Sequence, residues 1–301
     1  MSITMIDCQG TKLLLESRGS GGIPMLFLHG LTFDRKSFAS LLACLPPEVN
    51  WWTLDFRGHG GSDRSAPPYL YSDLIDDTVT AICEGIGEPV LLFGHSLGGA
   101  VALAVAANTP RWVRGLIVSD NFLSRSNYAA AAGHPQTRAL LNGLAGVARQ
   151  GLGAEGTARS LANIELPAPD GARSIRLGDI PGNTPEFLEL WAKALTKCDP
   201  EAPALFFAPE NFAAFEGEEY FPRLQCPVLL LQADAEAGGN LPDDDVELLR
   251  SIKQDVQVIQ FPKSGHFMHM QDPGPTAAAI SDFIRGRLHP DRNRSRIDPA
   301  G

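Results

Sequence analysis

Short apolar runs alternate with amphipathic segments along most of this chain. From PMLFLHG at residues 24–30 onward, the runs are rich in Val, Leu and Ile and are bounded by Gly, Pro or polar residues. Such runs are typical of parallel strands buried on both faces, and the amphipathic stretches between them are typical of crossover helices. The alternation therefore predicts an α/β fold, with an open, mostly parallel sheet and helices on both faces.

Two segments near the N terminus and six later runs are the predicted strands. The early segments, around residues 3–6 and 12–16, are separated by a turn at 7–10. The later runs are PMLFLHG, NWWTLDFRG, PVLLFGHS, VRGLIVSD, CPVLLLQAD and VQVIQF. Helices are predicted near residues 35–45, 72–86, 96–109, 242–253 and 275–288.

The alternation stops between about residues 122 and 224. This interval has no comparable strand run, and its helical stretches, such as TRALLNGLAGVARQ, are separated by loops rich in Pro, Gly and Ala. A connection of this length between two strands indicates an insertion rather than a loop. We predict a core at residues 1–121 and 224–288, a helical cap inserted at 122–223, and a disordered tail at 289–301.

Composition and charge narrow the classes of partner. The chain has 301 residues, 44% hydrophobic and 20% charged, as in an ordinary globular protein. Its formal net charge of -10 argues against a nucleic-acid partner, which would require concentrated Lys and Arg. No apolar run reaches the roughly 18 residues of a membrane span. We therefore expect a small-molecule partner, and the sequence leaves the oligomeric state open.

The cysteines and the N terminus indicate the compartment. Five cysteines are scattered without a CxxC pair, which favours reduced thiols over a disulfide framework or a zinc site. The opening MSITMIDCQG has neither the basic nor the apolar region of a secretory signal. Both observations predict a cytoplasmic protein.

The candidate nucleophile is Ser96, in the stretch PVLLFGHSLGGA. The GHSLG core of this stretch fits the G-x-S-x-G pattern, between a predicted strand and a predicted helix. A serine on so tight a turn needs small neighbours, which Gly94, Gly98 and Gly99 provide. A serine that only caps the following helix is the alternative. The strand–turn–helix context favours the nucleophile, with its hydroxyl above the carboxyl edge of the sheet.

A serine hydroxyl needs a base to take its proton, and a histidine is the usual one. In folds with this elbow the histidine comes last in the chain, on a loop after the final strand. His266, in VQVIQFPKSGHFMHM, matches that place. His269 is the alternative, although we expect it to pack in the following helical turn.

The oxyanion of an acyl-transfer reaction needs two backbone N–H donors. Leu97 follows the nucleophile directly and is the first predicted donor. Leu31 follows a His-Gly pair at the end of the PMLFLHG run and is the second. A simple turn at this pair is the alternative.

Together, these motifs resemble those of the α/β-hydrolase superfamily, in its capped, single-domain branch. The resemblance covers about residues 3–120 and 224–288 and rests on LHGLTFD, LDFRGHGGSD, FGHSLGGA and SGHFMHMQDP in the expected order. It implies the α/β-hydrolase fold, a mostly parallel eight-stranded sheet with helices on both faces and an inserted helical cap. It also implies that Leu31 belongs to the oxyanion hole and that Arg57 and His59 are structural.

The catalytic acid has three candidates. In most of the family it follows the seventh strand, where LLLQADAEAGG places Glu236 at the expected position and Asp234 two residues earlier. The glycine usual in this motif is replaced by Ala233. Haloalkane dehalogenases and some lactonases of the superfamily instead carry the acid after the sixth strand, where VRGLIVSD ends in Asp120. We favour Asp120, with Glu236 and Asp234 as alternatives.

A serine at the elbow implies acyl-enzyme chemistry, because the dehalogenases and epoxide hydrolases of this fold carry an aspartate there. We expect a carboxylesterase or lactonase that needs no metal or organic cofactor. Aromatic residues of the predicted cap are expected partly to line an apolar pocket and partly to hold the cap together, which favours a small to medium, apolar substrate. An acyltransferase or perhydrolase on the same triad, and a ligand-binding receptor, are the alternatives.

Overall fold

A sheet of eight strands forms the centre of the protein in the computed structural model, which describes residues 1–19, 21–168 and 173–288. The strands in chain order are β1 (Ser2–Cys8), β2 (Thr11–Ser17), β3 (Ile23–Leu28), β4 (Val49–Leu54), β5 (Val90–His95), β6 (Val113–Ser119), β7 (Glu165–Pro167), β8 (Ser174–Arg176), β9 (Val228–Ala233) and β10 (Val256–Phe261). The order across the large sheet is β1-β2-β4-β3-β5-β6-β9-β10. β2 runs antiparallel to β1 and β4, and the other neighbouring pairs are parallel. The predicted eight-stranded, mostly parallel sheet is confirmed.

Successive side chains of the central strands point to opposite faces of the sheet. In β5, Val90 and Leu92 belong to one buried cluster, and Leu91 and Phe93 belong to the other. All four side chains are fully buried, as expected of a strand that helices cover on both faces. This double burial is the reason that the sequence of the strand is a continuous apolar run.

Helices lie on both faces of the sheet. They are α1 (Ala39–Cys44), α2 (Tyr71–Thr80), α3 (Leu97–Asn108), α4 (Arg125–Gly133), α5 (Pro135–Arg149), α6 (Ala154–Ala162), α7 (Pro185–Leu195), α8 (Pro209–Ala214), α9 (Asp243–Ile252), α10 (Met268–Gln271) and α11 (Pro273–Phe283). Side chains of α2, α3 and α9 pack in one cluster, and those of α1, α10 and α11 pack in the other. Within the described ranges, no helix is both long and apolar enough to cross a membrane.

Residues 122–223, called the inserted segment below, lie between β6 and β9. They include helices α4 to α8 and a two-stranded antiparallel ribbon of β7 and β8. The sequence did not indicate this ribbon, because strands of three residues are too short to give an alternating pattern. Side chains of the inserted segment, such as Leu144 and Trp191, join the buried cluster that also contains α3. The tail predicted at 289–301 lies outside the described residues.

Two residues that the resemblance marked as structural are buried and paired. The Arg57 guanidinium makes two hydrogen bonds to Asp77, from Nε at 2.7 Å and from Nη2 at 2.6 Å. His59 Nδ1 donates to the Arg57 carbonyl at 3.0 Å. These contacts hold the turn after β4 against α2.

Three histidines, two of them near this turn and one in α10, are buried, and burial favours their uncharged forms. Burial lowers the pKa of His29 and of His59 from 6.5 to about 4. In α10, burial lowers the pKa of His269 to about 3. Neither ring nitrogen of His269 has a hydrogen-bond partner among the described residues, and its ring packs against Phe38 at 5.2 Å. An unpaired buried polar group of this kind costs stability.

These pKa values predict a loss of stability in mild acid. The unfolded chain, with histidine pKa values near 6.5, binds more protons than the folded chain between about pH 6.5 and pH 4. The free energy of unfolding should therefore fall as the pH is lowered through this window. We expect His269→Leu to reduce that slope by up to about 1.4 kcal/mol per pH unit, as measured by urea denaturation at pH 7 and pH 5.

A matched control for this substitution is His134→Asn, which removes an exposed histidine and keeps a side chain able to cap α5. A His269→Leu slope equal to that of the wild type would contradict the contribution assigned to His269.

Candidate active site

Ser96 lies at the turn between β5 and α3, with a backbone φ of 51° and ψ of -121°. A residue other than glycine rarely adopts a positive φ, and such strain clusters at functional turns. The flanking glycines are sterically required. A Cβ on Gly94 would collide with the backbone of Gly98, and a Cβ on Gly98 would collide with the backbone of Leu28.

A cavity of about 670 Å³ opens at the carboxyl ends of the parallel strands. Its wall includes Ser96 after β5, His266 after β10, and both predicted oxyanion residues, Leu31 and Leu97. The structure therefore brings these four residues, which are far apart in the sequence, to one cavity.

His266 is hydrogen-bonded to Asp120. Asp120 directly follows β6, is fully buried, and has a φ of 50°. Its Oδ2 atom lies 2.7 Å from His266 Nδ1. An imidazole held in this way keeps its proton on Nδ1 and presents Nε2 as a proton acceptor.

The Asp120 carboxylate also accepts three backbone hydrogen bonds, all from the chain that ends β9 and follows it. The N–H of Asn240 donates to Oδ2 at 2.7 Å, and those of Ala233 and Leu241 donate to Oδ1 at 3.1 and 3.2 Å. With His266, each carboxylate oxygen has two donors. This full set compensates for taking a carboxylate out of water.

The two alternative acids have other positions. The Asp234 carboxylate accepts the backbone N–H groups of Glu236 at 2.9 Å and Lys263 at 3.2 Å. It thus joins the loop after β9 to the loop that carries His266. The Glu236 side chain is exposed. Among the described residues, the carboxylate that is hydrogen-bonded to His266 is that of Asp120.

The two predicted oxyanion donors flank the elbow. Leu97 is the first residue of α3, where backbone N–H groups have no partner within the helix. Leu31 follows Gly30, which packs closely on the elbow. A Cβ on Gly30 would lie 2.9 Å from His95 Nδ1 and 3.3 Å from Ser96 Cβ, so this approach requires glycine.

Two further residues contact His266 and were not anticipated from the sequence. His95 Nε2 donates to the His266 carbonyl at 2.9 Å, and burial lowers the pKa of His95 well below 6.5, so it stays neutral. The Asn240 side-chain nitrogen lies 3.1 and 3.3 Å from the two ring nitrogens of His266. An atom this close to both nitrogens packs over the face of the imidazole. His95 is the variable residue before the serine in the G-x-S-x-G pattern, and Asn240 lies in none of the four motifs.

The cavity wall is mostly apolar. The inserted segment contributes large apolar side chains, among them Phe122, Leu140, Leu141, Leu144, Leu166, Leu177, Ile180, Trp191 and Phe206. The polar lining residues are hydroxyls, amides and histidines, and no Asp, Glu, Lys or Arg lines the cavity within the described part of the chain. Over the same residues, no cluster of three or more His, Cys, Asp or Glu side chains could hold a metal ion.

Known proteins share this architecture. 2-(Acetamidomethylene)succinate hydrolase of Mesorhizobium japonicum is 33% identical over 115 residues, which is 38% of this chain and 41% of that protein. The match thus spans less than half of that relative. N-formylmaleamate deformylase of Pseudomonas putida is 23% identical over 288 residues, 93% of this chain and 95% of that protein. The enol-lactonase from Burkholderia xenovorans shares the fold with a TM-score of 0.70 at 17% identity, covering 94% of this chain and 100% of that chain.

A sequence model described as the alpha/beta hydrolase family matches residues 25–279, which include the elbow, the inserted segment and the loop that carries His266. That span is most of the chain, and the sheet order and the strand–turn–helix elbow agree with it. The chain therefore belongs to the alpha/beta hydrolase family.

Proposed function

We propose that this protein is a serine hydrolase that cleaves a carboxylic ester or lactone of a small to medium, uncharged and largely apolar substrate. The observation that carries the proposal is the 2.7 Å hydrogen bond between His266 Nδ1 and buried Asp120, at the cavity that Ser96 also lines. A serine beside an imidazole oriented by a carboxylate is the arrangement of acyl-enzyme catalysis. The inserted segment serves as the cap over this site.

The acylation step uses Ser96 and His266 together. Ser96 Oγ attacks the carbonyl carbon of the substrate while His266 Nε2 takes the hydroxyl proton. The Leu31 and Leu97 N–H groups stabilise the oxyanion of the tetrahedral intermediate. As the intermediate collapses, the bond to the leaving alcohol breaks and His266 returns the proton to the alcohol oxygen.

The deacylation step repeats this sequence with water. His266 Nε2 takes a proton from a water molecule, whose oxygen attacks the acyl carbon. The second tetrahedral intermediate releases the acid, and His266 returns the proton to Ser96 Oγ. Asp120 keeps its charge throughout and stabilises the imidazolium that forms in each step.

The cavity wall supports an uncharged substrate. N-formylmaleamate and 2-(acetamidomethylene)succinate, the substrates in the names of two relatives, are carboxylates. The described wall of this cavity has no Lys or Arg to pair with a carboxylate, and the chain carries a formal net charge of -10. Burying an unpaired charge against apolar side chains is costly. We therefore propose substrate selectivity that differs from those two relatives.

A turnover screen tests the proposed activity. We expect the wild type to hydrolyse 4-nitrophenyl esters or lactones and to be labelled by a fluorophosphonate at Ser96, and we expect Ser96→Ala to do neither. Within the screen, 4-nitrophenyl methyl adipate should exceed mono-4-nitrophenyl adipate in kcat/KM by about a hundredfold, because the second ester differs by one terminal charge.

The alternative functions give different results in the same assays. A folded wild type that is neither labelled nor active would contradict a hydrolase and favour a ligand-binding receptor. With added methanol, a product mixture dominated by the methyl ester would indicate an acyltransferase instead of a hydrolase.

Substitution of the candidate acids tests the third member of the proposed triad. Asp120→Asn should lower kcat by about ten-thousand-fold, because an amide oriented towards His266 favours the wrong tautomer. Asp234→Asn and Glu236→Gln should change kcat by less than about threefold. Circular dichroism and kcat for all three variants provide the measurement, and a loss in Asp234→Asn or Glu236→Gln as large as that in Asp120→Asn would contradict the assignment.

A further inference from the structure

Helix α7 of the inserted segment is hydrogen-bonded to the loop that follows β3. Trp191 Nε1 donates to Thr32 Oγ1 at 2.9 Å, across a separation of 159 residues in the chain. Thr32 is 1% exposed and Trp191 is 3% exposed, so no bulk water competes for this bond. Thr32 directly follows Leu31, whose N–H is a proposed oxyanion donor.

The backbone at Thr32 has an unfavourable conformation. Its φ is 67°, in the left-handed region that a β-branched residue rarely adopts. The Thr32 N–H points to His59 Nε2 at 3.4 Å, a long hydrogen bond. The hydrogen bond from Trp191 Nε1 to Thr32 Oγ1, at 2.9 Å, is shorter and therefore stronger than this one. The turn itself is closed by the Phe33 N–H, which donates to the Gly30 carbonyl at 3.2 Å. The bond from Trp191 ties this turn to the inserted segment.

The Trp191 ring also contacts the loop that carries His266. It stacks on Phe33 with ring centroids 5.3 Å apart and planes at 18°, and its centroid lies 5.8 Å from that of Phe267. Phe33 belongs to the loop after β3, and Phe267 follows His266. A single side chain of α7 therefore touches the loops that carry an oxyanion donor and the general base.

We propose that Trp191 is a positioning residue for the oxyanion hole, an inference that rests on the proposed serine hydrolase function. Its indole N–H holds Thr32, and Thr32 holds the Leu31 N–H where the oxyanion forms. The inserted segment thereby contributes to rate as well as to substrate selectivity. Such a contribution appears only when negative charge develops on the substrate oxygen, so it affects the tetrahedral state and not the binding of the ground state.

Conservative variants separate the hydrogen bond from the packing. Trp191→Phe removes the donor and keeps an aromatic ring beside Phe33. Thr32→Val removes the acceptor and keeps the branched shape, and Thr32→Ser keeps the acceptor as a matched control. We expect kcat/KM to fall about tenfold in each of the first two variants and less than about twofold in Thr32→Ser. The double variant Trp191→Phe/Thr32→Val should also lose about tenfold, not a hundredfold, because both changes remove the same bond.

Binding of two inhibitors distinguishes positioning from a general loss of structure. An alkyl boronic acid forms a tetrahedral adduct with Ser96, with a boron hydroxyl in the oxyanion hole. The matching N,N-dimethylamide occupies the pocket without being attacked. For Trp191→Phe and Thr32→Val, Ki for the boronic acid should rise about tenfold and Ki for the amide should stay within about twofold. An equal rise for both inhibitors would show altered packing and overturn the proposal.

The outcomes separate this proposal from the function on which it rests. Wild-type protein without Ser96-dependent turnover would reject the proposed function and the role of Trp191 with it. Turnover in the wild type with unchanged boronic acid affinity in Trp191→Phe would reject only the role of Trp191. If Trp191→Phe fails to fold, Thr32→Val gives the same test from the acceptor side.

Discussion

The buried carboxylate of Asp120 is the interaction on which the arrangement of the candidate site depends. A carboxylate without exposed surface must have its lone pairs satisfied by donors, and here the donors come from separate parts of the chain. Three backbone N–H groups of residues 233–241 and one ring nitrogen of His266 meet on it. The carboxylate therefore holds together the ends of β6 and β9 and the loop after β10, and movement of any of them would remove donors from a buried carboxylate.

This network joins the loop after β9 to Asp120, which we propose as the acid. Its backbone donates to Asp120, and its own acid, Asp234, joins it to the loop that carries His266. The side chain of Asn240 packs over the imidazole, and His95 donates to the His266 carbonyl. In the proposed mechanism, His266 is thus constrained at its ring and at its backbone, which reduces the reorganisation needed during proton transfer.

The side chains that the inserted segment contributes to the cavity wall are mostly apolar. Among the described residues, no charged side chain lines the cavity. Trp191 of the inserted segment is hydrogen-bonded to Thr32 in the loop after β3. The buried histidines beside the site stay neutral because desolvation disfavours their charged forms. The wall of the cavity thus combines the neutral imidazole of His95 with apolar side chains, and this combination underlies the proposal of an uncharged substrate.

Local pattern in the sequence was sufficient to predict the sheet, the helices that cover it, Ser96 at its turn and His266 after the last strand. Double burial of a parallel strand produces a continuous apolar run, and a tight strand-to-helix turn requires glycines at short spacing, so both leave a signature within a few residues. The choice among Asp120, Asp234 and Glu236 left no such signature, because each follows a strand and the choice depends on the path of a loop. The contact between Thr32 and Trp191, 159 residues apart, and the packing of Asn240 on His266 were equally invisible. The sequence by itself determined the fold class and four of the residues at the cavity. Only the tertiary structure decided which carboxylate meets the imidazole, because hydrogen-bond partners are selected by position in space and not by separation along the chain.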